Sequence, residues 1–131
     1  MHRVGSGPWG EYERLSQLDA TTLTLRERRL VAFGEMRTEL NNGGFDQYFF
    51  NSSGDRVLDA MAAVIETDAQ RLAELLQRAL DLLGASDPSD RAARQERLEA
   101  MDGDSFETLD AEYLSLEASL DLDQLMRRLG T

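Results

Sequence analysis

Wherever apolar residues gather in this 131-residue chain they recur three and four positions apart, and that period belongs to the α-helix. The clearest run is Leu72, Leu75, Leu76, Ala79, Leu80 and Leu83. Gly84 follows at once, the residue best suited to a left-handed helix exit. Leu30, Phe33, Met36 and Leu40 repeat the period behind Thr24-x-x-Glu27, a capping box in which each side chain satisfies the other end's free N–H. Phe106, Leu109, Tyr113, Leu116 and Leu120 form a further stripe. Leu122, Leu125, Met126 and Leu129 form a short last one behind Asp121-x-x-Gln124. The choice of apolar residue agrees, with 21 Leu and 14 Ala against four Val and one Ile, so strand formers are nearly absent. The expectation is an all-α fold: one compact, bundle-like domain of six to eight helices over residues 9–131, after a flexible lead-in at residues 1–8.

Local signals refine the boundaries. Trp9, Tyr12, Leu15 and Leu18 anchor a first helix over residues 9–18. The segment Glu66–Asp68 breaks one apolar run into two helices. Asp87-Pro88 reads as an N-cap with proline at the first helical position. The polar helix it opens, to about Met101, has few inward residues beyond Leu98 and Met101 and is expected on the surface.

One stretch is unlike the rest. Asn41 to Asp55 holds three glycines, three asparagines and four of the chain's nine aromatic residues. Asn41-Asn42-Gly43-Gly44 predicts a helix exit. Phe45, Tyr48 and Phe49 then share one face of a short helix. Asn51-Ser52-Ser53-Gly54-Asp55 predicts a second reversal built from cap-forming residues. Asn42, Gln47, Tyr48, Asn51 and Ser52 admit two readings, as helix caps or as the lining of a ligand pocket.

Charge excludes several functions. The net charge is −11, and residues 99–123 carry nine acids without a base. A chain this acidic is not expected to bind nucleic acid or anionic membrane directly, and its natural partners are basic. There is no Cys, and the one His is His2, which removes thiol and His-based nucleophile systems and the common metal ligands. Glu35 and Glu39 lie one turn apart, but a di-iron site needs Glu-x-x-His motifs. Asp102-Gly103-Asp104 begins like a calcium loop, yet Glu107 stands where the loop needs Gly and Tyr113 where it needs Glu. No catalytic residue, metal or cofactor is expected. No apolar run is long enough to span a bilayer, and no secretory leader opens the chain, so a cytoplasmic protein is expected.

The stretch Glu39-Leu40-Asn41-Asn42-Gly43-Gly44-Phe45, with Gln47-Tyr48-Phe49 and Asn51-Ser52-Ser53-Gly54, closely resembles the signature of a bacterial domain family of largely unknown function. The best-known member of that family is a DNA-mimic protein. The resemblance extends more loosely through Ala60 and Ala63, residues Pro88 to Arg94 and Leu109-Asp110-x-x-Tyr113, covering about residues 25–126. The connection Ala85-Ser86-Asp87 departs from the usual look of the family. The resemblance implies a non-enzymatic acidic protein that occupies the basic DNA-binding surface of a transcription factor or nucleoid protein, and it is compatible with a homodimer.

On that reading the phosphate surrogates are Glu99, Asp102, Asp104, Glu107, Asp110, Glu117, Asp121 and Asp123. Glu107, Asp110 and Glu117 share one edge of the helix predicted over residues 106–120, with Leu114 among them and Glu112 on the other flank. Carboxylates about 5.5 Å apart in water repel by only about 0.8 kcal/mol, so all are expected to stay ionised. A solvated helix face would show the same spacing. The alternative function is a protein- or ligand-binding module of immunity or regulatory type that works through Asn41–Asp55. Convergent, exposed Gln47 and Asn51 would favour that alternative. Buried caps beside an acidic ridge would favour the mimic.

Overall fold

A computed structural model describes residues 7–130. These residues form seven α-helices, two short 3-10 segments and no strand. Helix α1 spans Gly7–Ser16, α2 Leu25–Phe50, α3 Val57–Glu66, α4 Gln70–Leu83, α5 Arg91–Glu99, α6 Glu107–Ser119 and α7 Leu122–Leu129. The 3-10 segments are Ala20–Thr22 and Ser52–Arg56. The all-α expectation therefore holds. Gly7 and Pro8 already belong to α1, while the rest of the expected lead-in, His2 included, lies outside the described residues.

Several helix ends follow the local chemistry. Thr24 and Glu27 form the capping box, with Glu27 N–H donating to the Thr24 hydroxyl at 3.1 Å and Thr24 N–H to the Glu27 carboxylate at 2.8 Å. Gly84 ends α4 in the left-handed region, at φ 69° and ψ 22°. The break between α3 and α4 falls at Thr67–Ala69, where Asp68 takes a φ of 60°.

Three expectations need correction. The Asn-Gly-Gly segment is not an open turn, because the backbone leaves helical geometry only at Gly44 (φ 76°, ψ −168°) and is helical again from Phe45. Such dihedrals are close to glycine-only. A Cβ at Gly44 would also lie 2.5 Å from an Asp110 carboxylate oxygen. The second reversal is present as the 3-10 segment after Asn51. Helix α5 begins at Arg91, later than Pro88, because Asp87 spends its carboxylate on an Asx turn, accepting from Ser89 N–H at 3.1 Å and from its hydroxyl at 2.6 Å. Nor is α5 a purely superficial helix: Arg94 is fully buried.

Helix α2 is the central element, in contact with α1, α3, α5, α6 and α7. Its first segment buries Leu30, Phe33, Met36 and Leu40 as the period predicts, and its second buries Phe45, Tyr48 and Phe49. Phe45, Phe49 and Phe106 pack with ring centroids 5.6–5.9 Å apart, and Tyr48 stacks on Phe49 at 5.6 Å. Each such ring contributes on the order of 2 kcal/mol by leaving water. The kink at Gly44 turns this aromatic face toward Phe106, at the start of α6. The acidic helix is thereby placed directly against the signature.

Candidate functional site

Helix α6 and its flanking turns hold the predicted acids, and the fold sorts them into two groups. Glu99, Asp102, Asp104, Glu107 and Asp121 are exposed. Asp102 and Asp104 flank Gly103 in the turn between α5 and α6, and Glu107 opens α6, where a helix N-terminus favours negative charge. Glu99, Asp102, Asp104 and Glu107 have no cationic partner among the described residues. Asp121 has a loose one, Arg127 at 3.8 Å, and also caps α7 by accepting from Gln124 N–H at 3.1 Å.

Asp110, Glu117 and Asp123 are drawn inward, and this corrects the picture of one free edge. The stretch 99–123 has no base of its own, but Arg37 on α2 reaches it. Arg37 is only 6 % exposed. Its guanidinium forks onto both oxygens of Glu117, donates to Asp123 at 2.8 Å and stacks 4.8 Å from the centroid of the Trp9 ring. The Tyr113 hydroxyl also donates to Glu117, as does the Asn41 side-chain amide, at 3.2 Å. Trp9 donates its indole N–H to Asp123 at 3.1 Å. Burial alone would push the Glu117 carboxyl up, but the bonds from Arg37 and Tyr113 outweigh it and hold the group below its ordinary range. Asp123 is held down chiefly by its bond from Arg37. Burial opposes the charge on Arg37, and the same two carboxylates more than restore it.

Asp110 has a different task. Its carboxylate accepts from Phe45 N–H at 2.9 Å and so caps the second segment of α2 from across the bundle. Burial pushes Asp110 up, as does the charge of Glu107, while the Phe45 bond pulls the other way. Asp46 is also raised, by burial and by Asp110. Glu112, on the other flank of α6, pairs with Arg78 of α4.

The signature residues are mostly committed to the scaffold. Phe45, Tyr48 and Phe49 are buried, and Gly44 is the kink. A Cβ at Gly43 would meet the Gln47 side chain, and Gln47 is half-buried along the helix. Asn41 bonds back to the Arg37 carbonyl at 2.8 Å. Asn51 donates its amide to Glu39 at 2.8 Å and does not cap the following segment. Asn42 and Ser52 are exposed, and Ser53 is half-buried with a hydroxyl that has no partner among the described residues. Gly54 is buried, and a Cβ there would come within 2.6 Å of the Tyr48 carbonyl oxygen. None of the four surface clefts described takes a wall from Asn41–Asp55, Gln47 and Asn51 included.

The residue that the sequence reading missed is Arg94. Its guanidinium donates to the carbonyls of Phe49 at 2.7 Å, Asn51 at 3.0 Å and Pro88 at 2.8 Å, and to the Asp55 carboxylate at 2.7 Å. Arg91 and Gln95 both donate to the Phe50 carbonyl, at 2.9 and 3.1 Å. Helix α5 thus satisfies the carbonyls that the end of α2 leaves open. A signal was available. Arg94 stands four residues before Leu98 and seven before Met101, and Arg37 stands four after Phe33. A cation in an inward register needs a buried partner.

The family model described as DMP19-like protein matches residues 21–129. The matched span takes in both arginine clusters, the kink and the whole acidic stretch, but leaves out α1 and Trp9. Comparison with curated proteins and with solved structures gives no significant match.

Proposed function

The chain belongs to the DMP19-like family, and on that premise we propose that it is a non-enzymatic acidic protein that occupies the basic surface of a DNA-binding regulator or nucleoid protein in place of DNA. The observation that carries this reading is the segment Glu99–Glu107. Its acids Glu99, Asp102, Asp104 and Glu107 stand exposed without a paired cation among the described residues. Acids with structural duties, such as Glu117, Asp110 and Asp123, already have partners. Those left over are the ones with charge to offer. A partner that replaces phosphate contacts with these carboxylates exchanges one set of ion pairs for another, and the DNA it leaves takes back its condensed counterions.

A competition experiment tests the idea. A labelled duplex is bound to a basic DNA-binding protein from the same cell at low salt, and this protein is added in excess. Displacement is expected, and the variant E99Q/D102N/D104N/E107Q should lose it while keeping the parent's helicity and melting temperature. Equal displacement by parent and variant would sink the proposal. Glu117 and Asp123 are unsuitable for this test, since neutralising either disturbs Arg37 and the packing of α1.

A further inference from the structure

Two clefts away from the acidic ridge meet at the α3–α4 turn. One, of about 360 Å³, runs between that turn and α7, and is walled by Thr67, Ala69, Leu120 and Leu125 with Asp68 and Asp121 on its rim. The other, of about 300 Å³, continues along α4 past Val64, Ile65, Ala69 and Ala73. Both include Asp68 and Ala69, so they form one groove. Small side chains at Ala69 and Ala73 open it, and Ile65, 63 % exposed, stands on its wall. Gln70 and Gln124 also line it, while the Thr67 hydroxyl is already turned onto the carbonyls of Ala63 at 3.0 Å and Val64 at 3.1 Å.

The rim is acidic. Asp68 is exposed, and its carboxylate has neither an ion pair nor a hydrogen bond among the described residues. Asp121 caps α7 with one oxygen, accepting from Gln124 N–H, and among the described residues its other oxygen has only the loose contact with Arg127, both groups being more than half exposed. Arg128 lines the outer edge. A trough with Ile65, Ala69, Leu120 and Leu125 on its walls and two exposed carboxylates on its rim fits an aliphatic side chain flanked by cations, whose own stems can lie along the walls. A second copy fits poorly, since it would set carboxylate rims together on two chains of net charge −11. We infer that this groove docks a segment of a basic protein partner in which an aliphatic residue is flanked by Arg or Lys. The inference rests on the reading above only in taking the partner to be basic. It adds an apolar anchor, which interfaces need for affinity and an acidic ridge cannot supply.

The probes are two fluorescent octapeptides of equal charge, one alternating Arg and Leu, the other Arg and Ser, followed by anisotropy at low salt. The Arg/Leu peptide should bind about tenfold more tightly, the gain expected for one buried aliphatic side chain. I65E should abolish that preference, and Ile65 is exposed enough for the fold to tolerate it. D68G, in which glycine accepts the positive φ freely, should weaken the Arg/Leu peptide without lowering stability. Equal affinity for the two peptides overturns the inference, as does a preference that survives I65E. A dimer in sedimentation that I65E converts to monomer would make a second copy the occupant and overturn it as well. The ridge variant E99Q/D102N/D104N/E107Q should leave the ratio of the two affinities intact, since none of its substitutions lines the groove. If parent and ridge variant displace DNA equally while the ratio stands, the ridge reading fails and the groove does not.

Discussion

Three single residues show how closely this scaffold is matched to its side chains. Arg94 serves three backbone carbonyls and one carboxylate from a fully buried position. R94M should cost about 3 kcal/mol, because it takes the donor from the buried Phe49 carbonyl and from the partly buried Pro88 carbonyl and leaves Asp55 without its cation. R94K should recover only part of that, since an ammonium cannot reproduce the planar fork. Both appear as a lowered midpoint of urea unfolding at unchanged slope. At Gly44, alanine meets the backbone conformation and the Asp110 carboxylate together, and a loss of about 3 kcal/mol is expected by the same measurement. Tyr48 points the other way. Its hydroxyl is fully buried and makes no hydrogen bond among the described residues, and burial with the nearby charge of Glu35 raises its pKa. Y48F should therefore be neutral or stabilising, by up to about 1 kcal/mol. A loss of that size would mean that the hydroxyl has a partner.

At the scale of elements, α6 is held by acids that titrate in opposite senses. Glu117 and Asp123 are held below their ordinary values of 4.5 and 3.8. The stability they contribute is present above those values and lost as pH falls through the lower, folded ones. Asp46 and Asp110 are raised above 3.8. Their contribution is greatest below the unfolded value and lost as pH rises through the folded one, so they partly offset the acid loss. E117Q should lower stability at neutral pH and make the decline below about pH 4.5 shallower, as read from melting temperature against pH. D110N keeps an oxygen acceptor for the Phe45 N–H and should be nearly neutral at pH 7. D110A removes the cap and should cost about 1 kcal/mol. Helix α1 belongs to the same arrangement. Trp9 is the chain's single tryptophan and contacts both Arg37 and Asp123, so its fluorescence should report the acid transition.

Across the whole molecule, charge and packing are separated in space. The core is aliphatic and aromatic, with two buried arginines tying α2 to α5, α6 and α7. The surplus of acid is left on the surface. Affinity for a basic partner should fall steeply with salt, because exposed charges are screened beyond about 8 Å at physiological ionic strength. The Arg37–Glu117 cluster, half-buried and hydrogen-bonded, should be much less sensitive. A melting temperature that tracks ionic strength as steeply as binding does would contradict that separation.

The all-α class, the Thr24 capping box, the Gly84 exit, the break between α3 and α4 and the buried faces of α2, α4 and α7 were legible in the sequence. Each depends on residues within a few positions of one another, through helical period and cap chemistry. The family signature was legible for the same reason, being one contiguous stretch. What the tertiary structure decided is which charges are free. Arg37 meets Glu117 across 80 positions, and Asp110 meets Phe45 across 65; spacing along α6 holds no trace of either. Helical period placed Glu107, Asp110 and Glu117 on one edge as equals. Packing against α2 left the first exposed, made the second a cap and paired the third with a buried guanidinium.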